Sequence, residues 1–229
     1  MLYNHKGLFS LYNIGIGTFF AIGLVLVVIF VNIGFQVNDS QKQVVEHAYD
    51  EVREQLELSG KISAVTDVSA NKIITTSIPV RTSSEGPVNM DPQSLSISYR
   101  LFQHTDVMIN YDNIYAGILN KKNYRTLSDA ILDAHTNGII EKNVFDDEQK
   151  PDSTRAFVYW IINQNQDNFV DKDELAVIVL VYGVNERPAT GEKMQIEVNT
   201  PEGFVLRIDE SVPDISNRVL NFGGIIGGR

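Results

Sequence analysis

Between Lys6 and Asp39 the chain carries no formal charge, and residues 11–37 read LYNIGIGTFFAIGLVLVVIFVNIGFQV. As a helix this run of about 27 residues is ~40 Å long, enough to cross a hydrocarbon core of about 30 Å. In water each large apolar side chain left exposed forfeits roughly 1.5–3 kcal/mol, so the run needs lipid or a bundle of similar helices around it. It is longer than the apolar core of a cleaved secretory signal, and no small-residue cut site follows it. Lys6 before the run and Asp39 after it place the N-terminus in the cytoplasm and the remainder outside. Gly15, Gly17, Ala21 and Gly23 weaken a helix that faces lipid, but let backbones approach closely where helix packs on helix. The alternative is an ordinary single-span anchor whose glycines are incidental.

Past Asp39 the sequence turns polar but keeps helical spacing, with Val44, Ala48, Val52 and Leu56 on one stripe. This predicts one continuous helix to about Leu58, roughly 70 Å long, with Gly60 as its terminator. The expected division is therefore 1–59 as a hydrophobic helix and 60–229 as an exported domain.

That domain is acidic. The whole chain has a net charge of -10, and Lys6 is the one formal charge before Asp39, so residues 39–229 carry about -11. Such a surface repels phosphate backbones, and no basic stripe with interleaved aromatics opposes it, which argues against nucleic acid as a partner. With no cysteine there are no disulfides, thiolate metal sites or cysteine nucleophiles. Core packing must hold the domain together, aided at most by an oxygen-ligated ion.

From Lys61 onward, eight short β-like runs alternate with turn residues: 61–68, 72–81, 94–102, 106–111, 157–162, 175–182, 193–198 and 204–208. Residues 175–182 (LAVIVLVY) are apolar on both faces and read as a central strand covered on both sides. The fold class expected is α+β: a long N-terminal helix followed by an antiparallel β-sandwich, immunoglobulin-like, with no βαβ crossovers. Residues 126–135 (TLSDAILDAH) read as a short helix capped by Thr126 or Ser128, with Leu127, Ile131 and Leu132 inward, inside an insertion at 112–152.

Catalytic motifs are absent from the sequence. His5, His47, His104 and His135 are scattered and fit no zinc pattern, and no nucleophile elbow, P-loop or dinucleotide fingerprint occurs. The chain is accordingly not read as an enzyme. One constellation stands out, residues 163–174 (NQNQDNFVDKDE). Oxygen donors at Asn163, Asn165, Asp167, Asp171 and Glu174 follow the spacing by which a loop wraps a calcium ion, and Asn168 occupies the position that needs positive φ. Neutral Asn163 replaces the usual first aspartate, and strands flank the loop where a helix pair is usual. The alternative is a polar turn whose asparagines and aspartates serve turn geometry. Calcium, if bound, stiffens the loop and performs no chemistry. Asn38-Asp39-Ser40 is the single N-glycosylation sequon, at the membrane edge of the long helix, where bundling hides it.

Gly15-Ile16-Gly17-Thr18 opening an apolar helix, the polar extension and the β-rich domain resemble archaeal flagellins, also called archaellins, relatives of type IV pilins. Residues 191–203 (GEKMQIEVNTPEG), followed by a strand and Pro213, are similar to that family's C-terminal region. The resemblance implies a subunit inserted in the membrane, then polymerised by membrane machinery into an extracellular homopolymer for swimming and adhesion. It also implies a short leader, 1–7, cut after Gly7, although Gly7 lies farther from Gly15 than the family pattern expects. Two other readings are a subunit of an adhesive type IV-like pilus, and a single-span membrane protein with an outer binding domain.

Overall fold

The computed structural model describes residues 56–83, 86–103, 108–146, 150–201, 203 and 205–223. All fall in the second of the two units into which the chain divides, Asp50–Arg229. The expectations for the apolar run, its extension as far as residue 55, Gly15, Gly17, Ala21, Gly23 and Asn38 lie outside the described residues.

In chain order the elements are β1 (Leu56–Leu58), β2 (Ile62–Asp67), β3 (Lys72–Thr82), β4 (Val88–Asn89), β5 (Ser96–Phe102), β6 (Met108–Tyr111) and β7 (Tyr115–Asn123). There follow α1 (Leu127–Thr136), β8 (Arg155–Ile162), β9 (Phe169–Val170), β10 (Leu175–Val181), a 3-10 turn (Val184–Glu186), β11 (Lys193–Asn199), β12 (Val205–Ser211) and β13 (Val219–Phe222). The large sheet runs β13-β2-β3-β10-β8-β7, with β1 also pairing β3; a second sheet runs β12-β11-β5-β6, and β4 pairs β9 in a small ribbon.

The strict period of two in β10 explains the layering. Ala176, Ile178 and Leu180 enter one buried cluster, which they share with Ile97, Tyr99 and Leu101 of β5 and Met194, Ile196 and Val198 of β11. Val177, Val179 and Val181 enter another, with Phe157 and Tyr159 of β8 and with Ala130, Ile131 and Ala134 of α1. The large sheet thus has the small sheet on one face and α1 on the other, and β10 lies between β3 and β8, the covered central position its sequence predicts.

Three expectations are corrected. First, Leu56–Leu58 is a strand and not the end of a helix, because Leu56 is 2% exposed in the core and its backbone pairs with Thr82. Tertiary pairing overrides the helical spacing there. Gly60, at φ 154°, is consequently a joint between two strands. Ser59 N–H donates to Pro79 O at 2.8 Å across this joint. In an antiparallel ladder a residue's N–H and C=O point the same way, so the N–H that Pro79 lacks would face the break between β1 and β2, where proline is tolerated.

Second, the sandwich is not wholly antiparallel. β7 and β8 pair in parallel, Ile118 opposite Val158 and Leu119 opposite Tyr159. A parallel pair needs a crossover of a dozen or more residues, and the stretch containing α1 supplies it. The expected insertion is therefore a βαβ unit of the large sheet. Third, α1 is capped by Thr126, whose Oγ1 accepts from Asp129 N–H at 3.1 Å, but its inward stripe is Ala130, Ile131 and Ala134, and Leu132 is 52% exposed. One residue past Ile131 the helix has turned by about 100°, which carries Leu132 off the stripe.

Trp160, the one tryptophan of the chain, is fully buried and reports unfolding. By its fluorescence in urea, Ile131→Ala is expected to cost about 2–4 kcal/mol and Leu132→Ala about 0.5 kcal/mol or less.

Candidate functional site

Residues 163–174 link β8 to β10 around the short β9, and side-chain oxygens of Asn163, Asn165, Asp167, Asp171 and Glu174 close the loop on itself. Asn163, 4% exposed, accepts at Oδ1 from Gln166 N–H at 2.6 Å, and its Nδ2 donates to the carbonyls of Asp167 at 3.2 Å and Asn120 at 3.4 Å. Asn165 Oδ1 accepts from Asp167 N–H at 3.2 Å, and Asp167 Oδ1 from Phe169 N–H at 2.8 Å. These are successive side-chain-to-backbone turns, the use for which Asn and Asp are favoured in loops.

Glu174 is also 4% exposed. Its Oε1 accepts from Gln164 N–H at 2.6 Å and its Oε2 from Asp171 N–H at 3.2 Å. A buried carboxylate needs such charge-assisted bonds to offset lost hydration, so Glu174 pins both ends of the loop. What remains is a pair: Asp167 Oδ2 and Asp171 Oδ2 each accept from Asn165 Nδ2 at 2.8 Å. Of the five ligands expected from spacing, the structure brings Asn165, Asp167 and Asp171 together and engages Asn163 and Glu174 as backbone caps. Among the described residues no three His, Asp or Glu side chains form a group suited to a metal ion.

Asn168 does not take the positive φ assigned to it; that conformation belongs to Gln166 (φ 58°) and Asp173 (φ 67°). The cause is long-range. Asn168 O accepts from Met90 N–H at 2.8 Å, its Oδ1 accepts from Asn120 Nδ2 at 2.6 Å, and its Nδ2 donates to Asp91 Oδ2 at 3.2 Å, which holds the residue extended beside β4. Asn123 Oδ1 accepts from Asn163 N–H at 2.8 Å. Asn120, Asn123 and Asp91 are thus integral to the site, yet they lie 40 or more residues away, and nothing in the spacing of residues 163–174 signals them.

The other polar groups serve packing. Tyr99 stacks on Tyr111 at 5.5 Å and lies 5.1 Å from Tyr182 between centroids. Burial pushes the phenols of Tyr99, Tyr115 and Tyr182 up, and that of Tyr159 to about 12, so all stay neutral. Lys122 Nζ donates to Asp133 at 2.6 Å and lies 4.9 Å from the Tyr124 ring centre, while Tyr124 Oη donates to Asp133 at 2.9 Å. That cluster ties β7 to α1 and holds the Asp133 carboxyl below its ordinary range, chiefly through the Lys122 bond. Of the four histidines, His135 falls within the described residues, in the last turn of α1.

Because Glu174 joins two backbone donors, Glu174→Ala is expected to lower stability by about 1–3 kcal/mol through the unpaired N–H groups. Lys172→Ala in the same loop is expected to leave urea unfolding within about 0.5 kcal/mol of the parent.

The profile of the family described as archaeal-type flagellin matches residues 19–210. No curated protein matches the chain. Among solved structures, the crystal structure of archaeal flagellin FlaB1 from Methanocaldococcus jannaschii aligns with a TM-score of 0.51 at 14% identity, covering 72% of this chain and 94% of that one. That likeness is one of fold. The archaeal flagellum of Methanospirillum hungatei strain JF1 aligns at 0.46 and 10% identity, covering 91% and 94%. The archaellum periplasmic stator protein FlaG from Sulfolobus acidocaldarius aligns at 0.35 and 10%, covering 68% and 98%.

Proposed function

The chain belongs to the archaeal-type flagellin family, and from that premise we propose that its leading apolar segment is the polymerisation element and its β-rich domain the outer wall of the filament. Membership makes the chain a structural subunit of an extracellular, homopolymeric motility filament, not an enzyme. The observation that carries the finer reading is the uncharged run of residues 11–37 joined to an acidic domain with a closed core of its own. Outside lipid, burying that run against copies of itself removes a penalty on the order of tens of kcal/mol. Gly15, Gly17, Ala21 and Gly23 let such helices approach. Lifting helices out of lipid gains little from burial, so membrane machinery must drive the transfer. The two facing sheets read as an immunoglobulin-like sandwich elaborated by β7 and α1.

Within that wall the 163–174 loop is a clasp. Asn165, Asp167 and Asp171 would hold a calcium ion, which would stiffen the loop, while Asn163 and Glu174 keep their backbone bonds. Asp167→Asn with Asp171→Asn is then expected to melt several degrees below the parent in calcium and level with it in a chelator. Equal melting in calcium removes the ion from the account.

Electron microscopy of material sheared from cells tests the main reading. Gly17→Leu with Ala21→Leu is expected to abolish filaments while the chain persists in the membrane. Filaments of normal yield from that variant would favour other packing surfaces, and parent cells with membrane-bound chain but no filaments would favour the single-span binding protein.

A further inference from the structure

The face of the large sheet that carries α1 is not wholly covered. Beside the helix runs an open groove of about 340 Å³, lined among others by Lys61, Val65, Ser77, Pro79, Ile161 and Val219. Ile161 on β8 is 40% and Val219 on β13 59% exposed, so both of these strands present open apolar area to the groove. Ser77 lines the same groove at 9% exposure, and its Oγ has no hydrogen-bond partner.

The outer face of the small sheet is different in kind. Arg100 donates to Gln195 Oε1 at 2.7 Å and Glu197 Oε1 at 3.1 Å, and Arg207 Nε donates to Asp209 Oδ2 at 2.8 Å. Gln195 Nε2 also donates to Asp209 Oδ1 at 2.6 Å. These bonds, within β12 and across β5, β11 and β12, satisfy one another and suit a face turned to water.

We propose that the groove beside α1 is where the β-rich domain of a second copy of this chain docks in the filament. Charge selects that occupant. The residues lining the groove include one cation, Lys61, and no acid, in a chain of net charge -10. An acidic neighbour approaching any other acidic surface meets like charge, whereas here it meets apolar area rimmed by a lysine. The inference rests on the filament reading, which supplies many copies at fixed spacing. It adds a lateral contact between outer domains to the packing proposed for the leading helices. A contact joining a groove on one copy to a different surface on the next propagates as an open helical array and does not close into a dimer.

The absence of cysteine allows a direct test on the full chain. Val219→Cys and, as a control on the small sheet, Val205→Cys are each placed alone, and maleimide labelling is timed in sheared filaments and in detergent-dissociated subunits. Val219→Cys is expected to label at least tenfold more slowly in filaments than in subunits, and Val205→Cys at similar rates in both. Adding Lys61→Glu, an exposed change that leaves the fold intact, is expected to restore much of the Val219→Cys labelling in filaments at low salt. Equal labelling of Val219→Cys in filaments and subunits overturns the docking site. So does protection already present in dissociated subunits, which points to cover by the chain itself, or protection lost when associated proteins are stripped from intact filaments. If filaments assemble in all these variants, a negative result removes this contact alone. If the parent forms no filaments, the functional reading falls first and the docking site with it.

Discussion

The structure depends on a sheet that is apolar on both sides. β10 sends alternate side chains into two separate buried clusters, and β8 does the same with Val158 and Trp160 against Phe157 and Tyr159. Neither face can meet water without losing roughly 25 cal/mol for each Å² of apolar area, so two different coverings are required. The small sheet supplies one and α1 with its loops the other. In a chain without cysteine this double covering takes the place of covalent staples. The 163–174 clasp and the groove both sit at the margins of these coverings, the clasp where β8 passes into β10 and the groove where α1 stops short of β2 and β13.

Much of this was legible in the sequence because period two is a local signal. All eight expected strands occur, and the two-faced burial of β10 follows from an unbroken run of aliphatic residues. β7 lies inside the expected insertion, where Gly117 and the polar end Asn120-Lys-Lys-Asn123 blur its alternation. Once β7 is missed, the parallel pairing with β8 cannot be anticipated. β1 escapes for the opposite reason: Leu56 continues a helical stripe too well, and its partner Thr82 on β3 reveals the strand.

For the candidate site, spacing located the loop and named its oxygens but not their occupations. A twelve-residue pattern of Asn, Asp and Glu is equally the pattern of nested turns. Which of the two it serves is decided by hydrogen-bond partners such as Asn120, Asn123 and Met90 that lie on other elements. The buried state of Glu174, which makes it a cap for two backbone amides, is likewise a property of the packed sheet and not of the loop.

The order of strands in the large sheet sets a schedule for folding. β13 pairs with β2, and Ser63 on β2 hydrogen-bonds Asn221 on β13 across 158 residues of chain. The sheet's outer margin therefore stays open until residues 219–222 have emerged. Pairing at such sequence separation incurs a large loop-closure entropy and is slow. During that interval β2 presents an unpaired backbone edge to its surroundings, so a nascent subunit is vulnerable to wrong pairing until β13 arrives.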